Sequence, residues 1–257
     1  MKKIFFIITL LAISCVMGFF SYVVMKRFYI KEQSRKLNLI IISVDALRTY
    51  HMCVYGYGKN TTPNIDSWAK QAFVFNSAQT VVPTTYPSFV ALMTGQHPFT
   101  TRITANKYGE GQYIGNKTVT LAKVLNKYGF STAAFFGNDA LTQELTNLGQ
   151  GFDIYKHVPA WNSRDYAYSD FGELPIDWLS VNKDKRFFLW VHLVDPHSPY
   201  EPPDDLACNF GEQFCDEIRK NGWGKIEELR KRYGKCPDVG QEPSDKTIEI
   251  MKSLYDS

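Results

Sequence analysis

The sequence has no Cys-x-x-Cys pair and no Cys/His grouping at metal-ligand spacing, which excludes zinc-ribbon and thioredoxin-like readings. Its 5 cysteines do not pair evenly. Cys15 lies in an N-terminal apolar run, Cys53 stands alone, and Cys208, Cys215 and Cys236 share one late segment. A Cys208–Cys215 disulfide outside the cytoplasm and a set of free thiols are both open. An excess of one charge is also lacking. A net charge of +3 leaves no electrostatic footprint for nucleic acid, and no basic-aromatic stripe stands out. No nucleic-acid partner is therefore expected. With 44% hydrophobic and 21% charged residues, the composition is that of a folded chain rather than a disordered one. A length of 257 residues allows one large α/β domain or two small ones. Residues 96–118 are polar and turn-rich and carry no repeat or low-complexity pattern.

One long uncharged run is present. Ile4 to Met25 has no charged residue and is flanked by Lys2-Lys3 and Lys26-Arg27. That length spans a bilayer. A cleaved signal peptide has a shorter apolar core and a small-residue cleavage site. Ala12-Ile13-Ser14-Cys15 faintly resembles a lipoprotein box, but the apolar run continues beyond it. Residues 1–27 thus read as an uncleaved transmembrane signal anchor, 28–37 as a charged juxtamembrane linker, and 38–257 as an α/β domain. Lys26, Arg27, Lys31, Arg35 and Lys36 outnumber Lys2 and Lys3, which argues against an external domain. Long domains translocate regardless of flanking charge, so a single-pass protein with its domain on the extracytoplasmic side stays the expectation.

Asn38 to Val44 is a continuous apolar run, as in a buried parallel strand, and it ends on Asp45. Ligands of open α/β sheets bind outside the carboxyl ends of the strands, so a carboxylate there is placed to hold a metal. A loop or capping role is the commoner fate of one Asp. Thr62 and Pro63 open a helix whose Ile65, Trp68, Ala69 and Ala72 define a buried face. Phe73-Val74-Phe75 reads as a short strand. Thr84-Thr85-Tyr86-Pro87-Ser88 precedes the apolar run Phe89 to Met93, placing hydroxyls at a helix N-terminus, an end that attracts anions. Thr85 there is either a cap or a nucleophile toward a phosphate or sulfate ester. Leu121, Val124, Leu125 and Tyr128 mark a helix ended by Gly129, and Phe130 to Phe136 a strand leading to Gly137-Asn138-Asp139. Residues 139–149 and Ile176 to Val181 read as helices. Phe187 to Val194 is the second buried-strand signal, followed by Asp195-Pro196-His197. His192, inside that strand, reads as a core or edge histidine. His197, just past it, is the better candidate to meet an anion or donate a proton. Residues 204–243 read as an insertion, and Ile248, Met251, Leu254 and Tyr255 as one face of a last helix that nothing closes. The sequence is accordingly expected to be the N-terminal portion of something longer.

The order of these pieces resembles the N-terminal part of the sulfatase family in the alkaline-phosphatase superfamily. The likeness is carried by Ile41 to Arg48, Tyr55-Gly56-Tyr57, Thr62 to Asp66, Tyr86-Pro87-Ser88 with Leu92 to Gly95, Gly151-Phe152-Asp153, and Phe188 to Pro203. It implies a mostly parallel sheet flanked by helices, a divalent cation (Ca, Mg, Mn or Zn) held by Asp45 and Thr85, and an anionic ester as partner. It also implies a nucleophile at Thr85, where sulfatases place the Cys or Ser that becomes formylglycine. Thr cannot make that conversion, so no formylglycine is expected. Related phosphodiesterases and phosphotransferases use an unmodified Thr, and a metal beside an alcohol lowers its pKa. His197 matches the sulfate-contacting position, while Arg48, Ser88 and Asn138 are assigned to substrate or loop support. Several positions depart from the family pattern. Phe89 stands where sulfatases have Arg, Ala46 replaces a second acidic residue, and Tyr50 replaces an Asp. The later Asp-His or Asp-Asn metal pair has no counterpart. Three functions follow from this reading: a membrane-anchored, metal-dependent ester hydrolase, a catalytically inactive binding protein of the same fold, and a phosphoryl-headgroup transferase.

Overall fold

A computed structural model describes residues 14–27, 37–105, 113–158 and 168–197, together with Asn209, Lys252 and Asp256. Residues 14–27 form helix α1, whose Val16, Phe19, Phe20 and Met25 are all exposed. Among the described residues no helix is long and apolar enough to cross a membrane. Residues 1–13 of the expected anchor, the linker 28–36, Cys208, Cys215, Cys236 and the face of the last helix lie outside the described residues.

Among the described residues four parallel strands build one sheet: β1 (Leu39–Val44), β2 (Ser131–Phe136), β3 (Ile154–His157) and β4 (Phe187–Leu193), in spatial order β1-β4-β2-β3. The register sets Ile41 beside Trp190 and Ser43 beside His192. Because side chains alternate across a strand, each face collects its own core. Phe188 and Trp190 of β4 join Ala134 and Phe136 of β2 on the first face. Helices α3 (Thr85–Thr94) and α5 (Leu121–Lys127) cover that face with Tyr86, Val90, Met93 and Ala122. On the second face, Phe187 and Leu189 join Ala133 and Phe135 under Trp178 of α7 (Tyr168–Asn182). Between these lie α2 (Pro63–Ala69), α4 (Pro98–Thr101) and α6 (Gln143–Thr146).

Four expectations are corrected. Among the described residues β1 is an edge strand, and its Ile40 and Ile42 are exposed on the face where α7 packs on β2 and β4. Phe73 to Phe75 form no strand, having no partner to pair with among the described residues, and Phe73 is 96% exposed. The expected buried face of α2 is open, with Trp68 77% exposed. Residues 139–149 form a 3₁₀ turn at Asp139–Leu141 and then the single turn of α6 rather than one helix. β3 had no signal of its own. It is fixed by the Asp153 carboxylate, which accepts from the Thr132 backbone N–H at 2.8 Å, and by the parallel pairing with β2 that follows.

Candidate active site

The carboxyl ends of β1, β4 and β2 lie side by side, and the N-terminus of α3 faces them. Asp45 leaves β1 with its backbone N–H bonded to the Leu193 carbonyl at 2.9 Å. Its Oδ2 accepts from Asn138 Nδ2 at 2.7 Å and, in a longer contact of 3.4 Å, from the Thr85 hydroxyl. Asn138 is buried, and its side-chain oxygen accepts from the Ala140 N–H at 2.9 Å, which fixes the direction of its amide. The next residue, Ala46, has φ 57, in the left-handed region that costs a residue with a Cβ about 1–2 kcal/mol. Backbone strain of this kind gathers at functional sites.

Thr85 is the first residue of α3, and Thr84 occupies the cap position without a side-chain cap bond. The Thr85 hydroxyl is therefore directed across the sheet end to Asp45 instead of back onto its own helix. The Ser88 hydroxyl donates to the Val82 carbonyl at 2.7 Å. Arg48 donates to the Tyr50 hydroxyl at 2.8 Å, so the Tyr in place of an acidic residue still engages it.

His192 belongs to this site, although its place inside a strand hid it. It is fully buried beneath Phe89, ring centroids 4.6 Å apart. Trp190 Nε1 donates to Ser43 Oγ at 2.9 Å, and the Ser43 hydroxyl lies 3.0 Å from His192 Nδ1 and 3.4 Å from the Val191 carbonyl. Nε2 makes no hydrogen bond among the described residues and faces Asp45 Oδ2 at 3.7 Å. The signal available in the sequence was the position of His192 one residue before the strand's end, on the strand paired with the one that carries Asp45. Burial pushes the Asp45 carboxyl up, and His192, His197 and Asn138 together bring it below its ordinary value. Asp45 is thus ionised at neutral pH. His197 sits past β4, its backbone N–H bonded to the Val194 carbonyl at 2.8 Å.

Asp45 and Thr85 offer hard oxygen donors suited to a divalent cation. Among the described residues no group of three or more His, Cys, Asp or Glu could hold a metal.

The sulfatase family model matches residues 37–238. N-acetylgalactosamine-6-O-sulfatase of Bacteroides thetaiotaomicron is 33% identical over 176 residues, covering 62% of this chain and 34% of its own length. Phosphonate monoester hydrolase of Agrobacterium radiobacter superposes with a TM-score of 0.56 at 17% identity, covering 85% of this chain and 55% of that one. The C-terminal periplasmic domain of EcEptC from Escherichia coli, in complex with Zn, gives 0.56 at 16% identity, covering 85% and 54%. These two structures share the fold. The chain spans 37%, 34% and 56% of the length of three curated relatives it matches.

Proposed function

The chain belongs to the sulfatase family, and from that premise we propose that it is the nucleophile-bearing part of a metal-dependent hydrolase of sulfate or phosphate esters, with unmodified Thr85 as nucleophile. The observation that carries this reading is the convergence of the Thr85 hydroxyl and the Asn138 amide on one oxygen of the ionised Asp45 carboxylate. A divalent cation held by Asp45 and Thr85, with further ligands from outside the described residues, would lower the pKa of the hydroxyl and offset charge on the transferred group.

In the proposed reaction Thr85 Oγ attacks the phosphorus or sulfur of the ester. The Thr85 hydroxyl gives up its proton to water, the new Oγ bond forms as the ester oxygen leaves with its electron pair, and the threonyl ester is then hydrolysed by a second water. Asn138 holds Asp45 in a single orientation. His197, beyond β4, contacts the anion or protonates the leaving oxygen. A phosphate, phosphodiester or phosphonate suits an alkoxide nucleophile better than a sulfate does, since hydrolytic sulfatase chemistry runs through formylglycine. The uncharged run at the N-terminus supports anchoring in a membrane. The domain is read as extracytoplasmic despite the flanking positive charge, since long domains translocate regardless of it, and from there transfer to a headgroup alcohol is a variant of the same chemistry.

The test is turnover of p-nitrophenyl phosphate, bis-p-nitrophenyl phosphate and p-nitrophenyl sulfate by the metal-supplemented protein. Thr85→Ala is expected to lower kcat at least about 1000-fold while leaving the fold intact, the scale at which loss of a nucleophile is felt. Equal rates for the two proteins would refute the role of Thr85. No turnover of any ester by the parent protein would favour the inactive reading, in which Phe89 seals His192.

A further inference from the structure

Away from the site, a second convergence of polar groups involves Asp256. Its side chain is fully buried. Oδ1 lies 2.6 Å from His51 Nδ1, while Oδ2 accepts from the Tyr57 hydroxyl at 2.7 Å and from Lys59 Nζ at 2.9 Å. The carboxylate can only accept, so His51 Nδ1 carries the proton in this pair. All three donors come from the segment 49–61, some two hundred positions away in the chain.

That segment is shaped as a receptor by its own bonds. The His51 ring packs against Tyr57, centroids 4.9 Å apart, and against Tyr50 at 5.0 Å. The Thr61 hydroxyl donates to the His51 carbonyl. Cys53 Sγ donates to the Lys59 carbonyl at 2.9 Å. Asp66 is occupied elsewhere, accepting from the Val54 N–H at 2.8 Å and the Thr62 hydroxyl at 2.8 Å. The donors at 51, 57 and 59 are thus held in place and directed to one anion. Burial pushes the Asp256 carboxyl up, and the bonds from Tyr57, Lys59 and His51 more than reverse it. Such charge-assisted bonds are the strong ones.

We infer that Asp256 is a positioning residue: an intramolecular clasp that fixes the loop leaving Asp45 and so holds the Asp45 end of β1 in register with Asn138. The loop starts at Ala46, which sits in the left-handed region and needs its surroundings to keep it there. The inference rests on the reading of Asp45 as a site residue, but its test uses no turnover, so either can fail without the other.

The experiment compares amide hydrogen exchange and the Asn138 side-chain amide NMR signals of the parent chain with Asp256→Asn and Tyr57→Phe. For Asp256→Asn, exchange across 49–61 is expected to accelerate at least about tenfold, with β2 and β4 unchanged, on the scale of losing one charge-assisted bond. The Asn138 NH₂ signals are expected to shift, because their acceptor is Asp45. Unchanged exchange in 49–61 overturns the clasp. Accelerated exchange with unmoved Asn138 signals overturns the positioning role. Should Asp256→Asn accelerate β2 and β4 as well, Tyr57→Phe decides, since it removes one hydroxyl. Local acceleration with an Asn138 shift then sustains the inference, and their absence overturns it.

Discussion

β1 and β4 look alike as sequence and differ as structure. Leu39-Ile40-Ile41-Ile42-Ser43-Val44 and Phe187-Phe188-Leu189-Trp190-Val191-His192-Leu193 are both nearly unbroken apolar runs. β4 lies between β1 and β2 and is buried on both faces, whereas β1 is half-buried on one and exposed on the other. An apolar run therefore reports that a segment belongs to a parallel sheet, not where in the sheet it lies. The difference bears on function. β4 is the central member, its Trp190 and His192 both meeting Ser43 of β1, and β1 is positioned against it and presents Asp45.

The largest expected effect falls on β4. Trp190 is completely buried, packs against Phe89 and Phe136, and donates to Ser43. Trp190→Ala is expected to cost about 3–5 kcal/mol, the range for large-to-Ala changes in a core. Urea unfolding should show the loss as a lower midpoint at unchanged slope. A cost near 1 kcal/mol would erase the distinction between the two strands.

Much of this comparison was legible in the sequence. β1, β2, β4, α3 and α5 were placed from apolar runs and 3.6-residue stripes, with Gly129 (φ 80) and Gly95 (φ 67) closing their helices in the left-handed region. Asp45, Thr85 and Asn138 were found because each lies at the end of a strand or the start of a helix, and chain order brought them to one side of the sheet. Tertiary pairing was not legible. Ile154-Tyr155-Lys156-His157 becomes a strand only because β2 offers an edge, and Phe73-Val74-Phe75, more apolar, stays outside the sheet. His192 was read as core, and it is core. Its second role follows from its pairing with Ser43, which no local pattern encodes.

A middle-sized effect probes the connection between the strands. Ser43→Ala removes the acceptor for the buried Trp190 N–H and the hydroxyl that faces His192 Nδ1. Leaving buried polar groups without partners costs about 1–3 kcal/mol. The sharper readout is the double cycle with Trp190→Phe. If the Ser43–Trp190 bond couples the strands, the two losses are non-additive by at least about 0.5 kcal/mol, the lower bound for contacting residues. Additive losses would reduce the hydrogen bond to a neighbour contact and leave the strands coupled by the backbone ladder alone.

The smallest effect is expected on the open face of β1. Ile42 is 65% exposed and sits in register with Val191, on the side where α7 covers β2 and β4 only. Ile42→Ala forfeits little buried area, so its cost should stay within about 0.5 kcal/mol, the range for surface substitutions. The same change is the most direct way to break the comparison. If urea unfolding gave a loss above about 2 kcal/mol, the size of a core truncation, Ile42 would be covered in solution. β1 would then be covered on both faces as β4 is, and both apolar runs would mean the same thing.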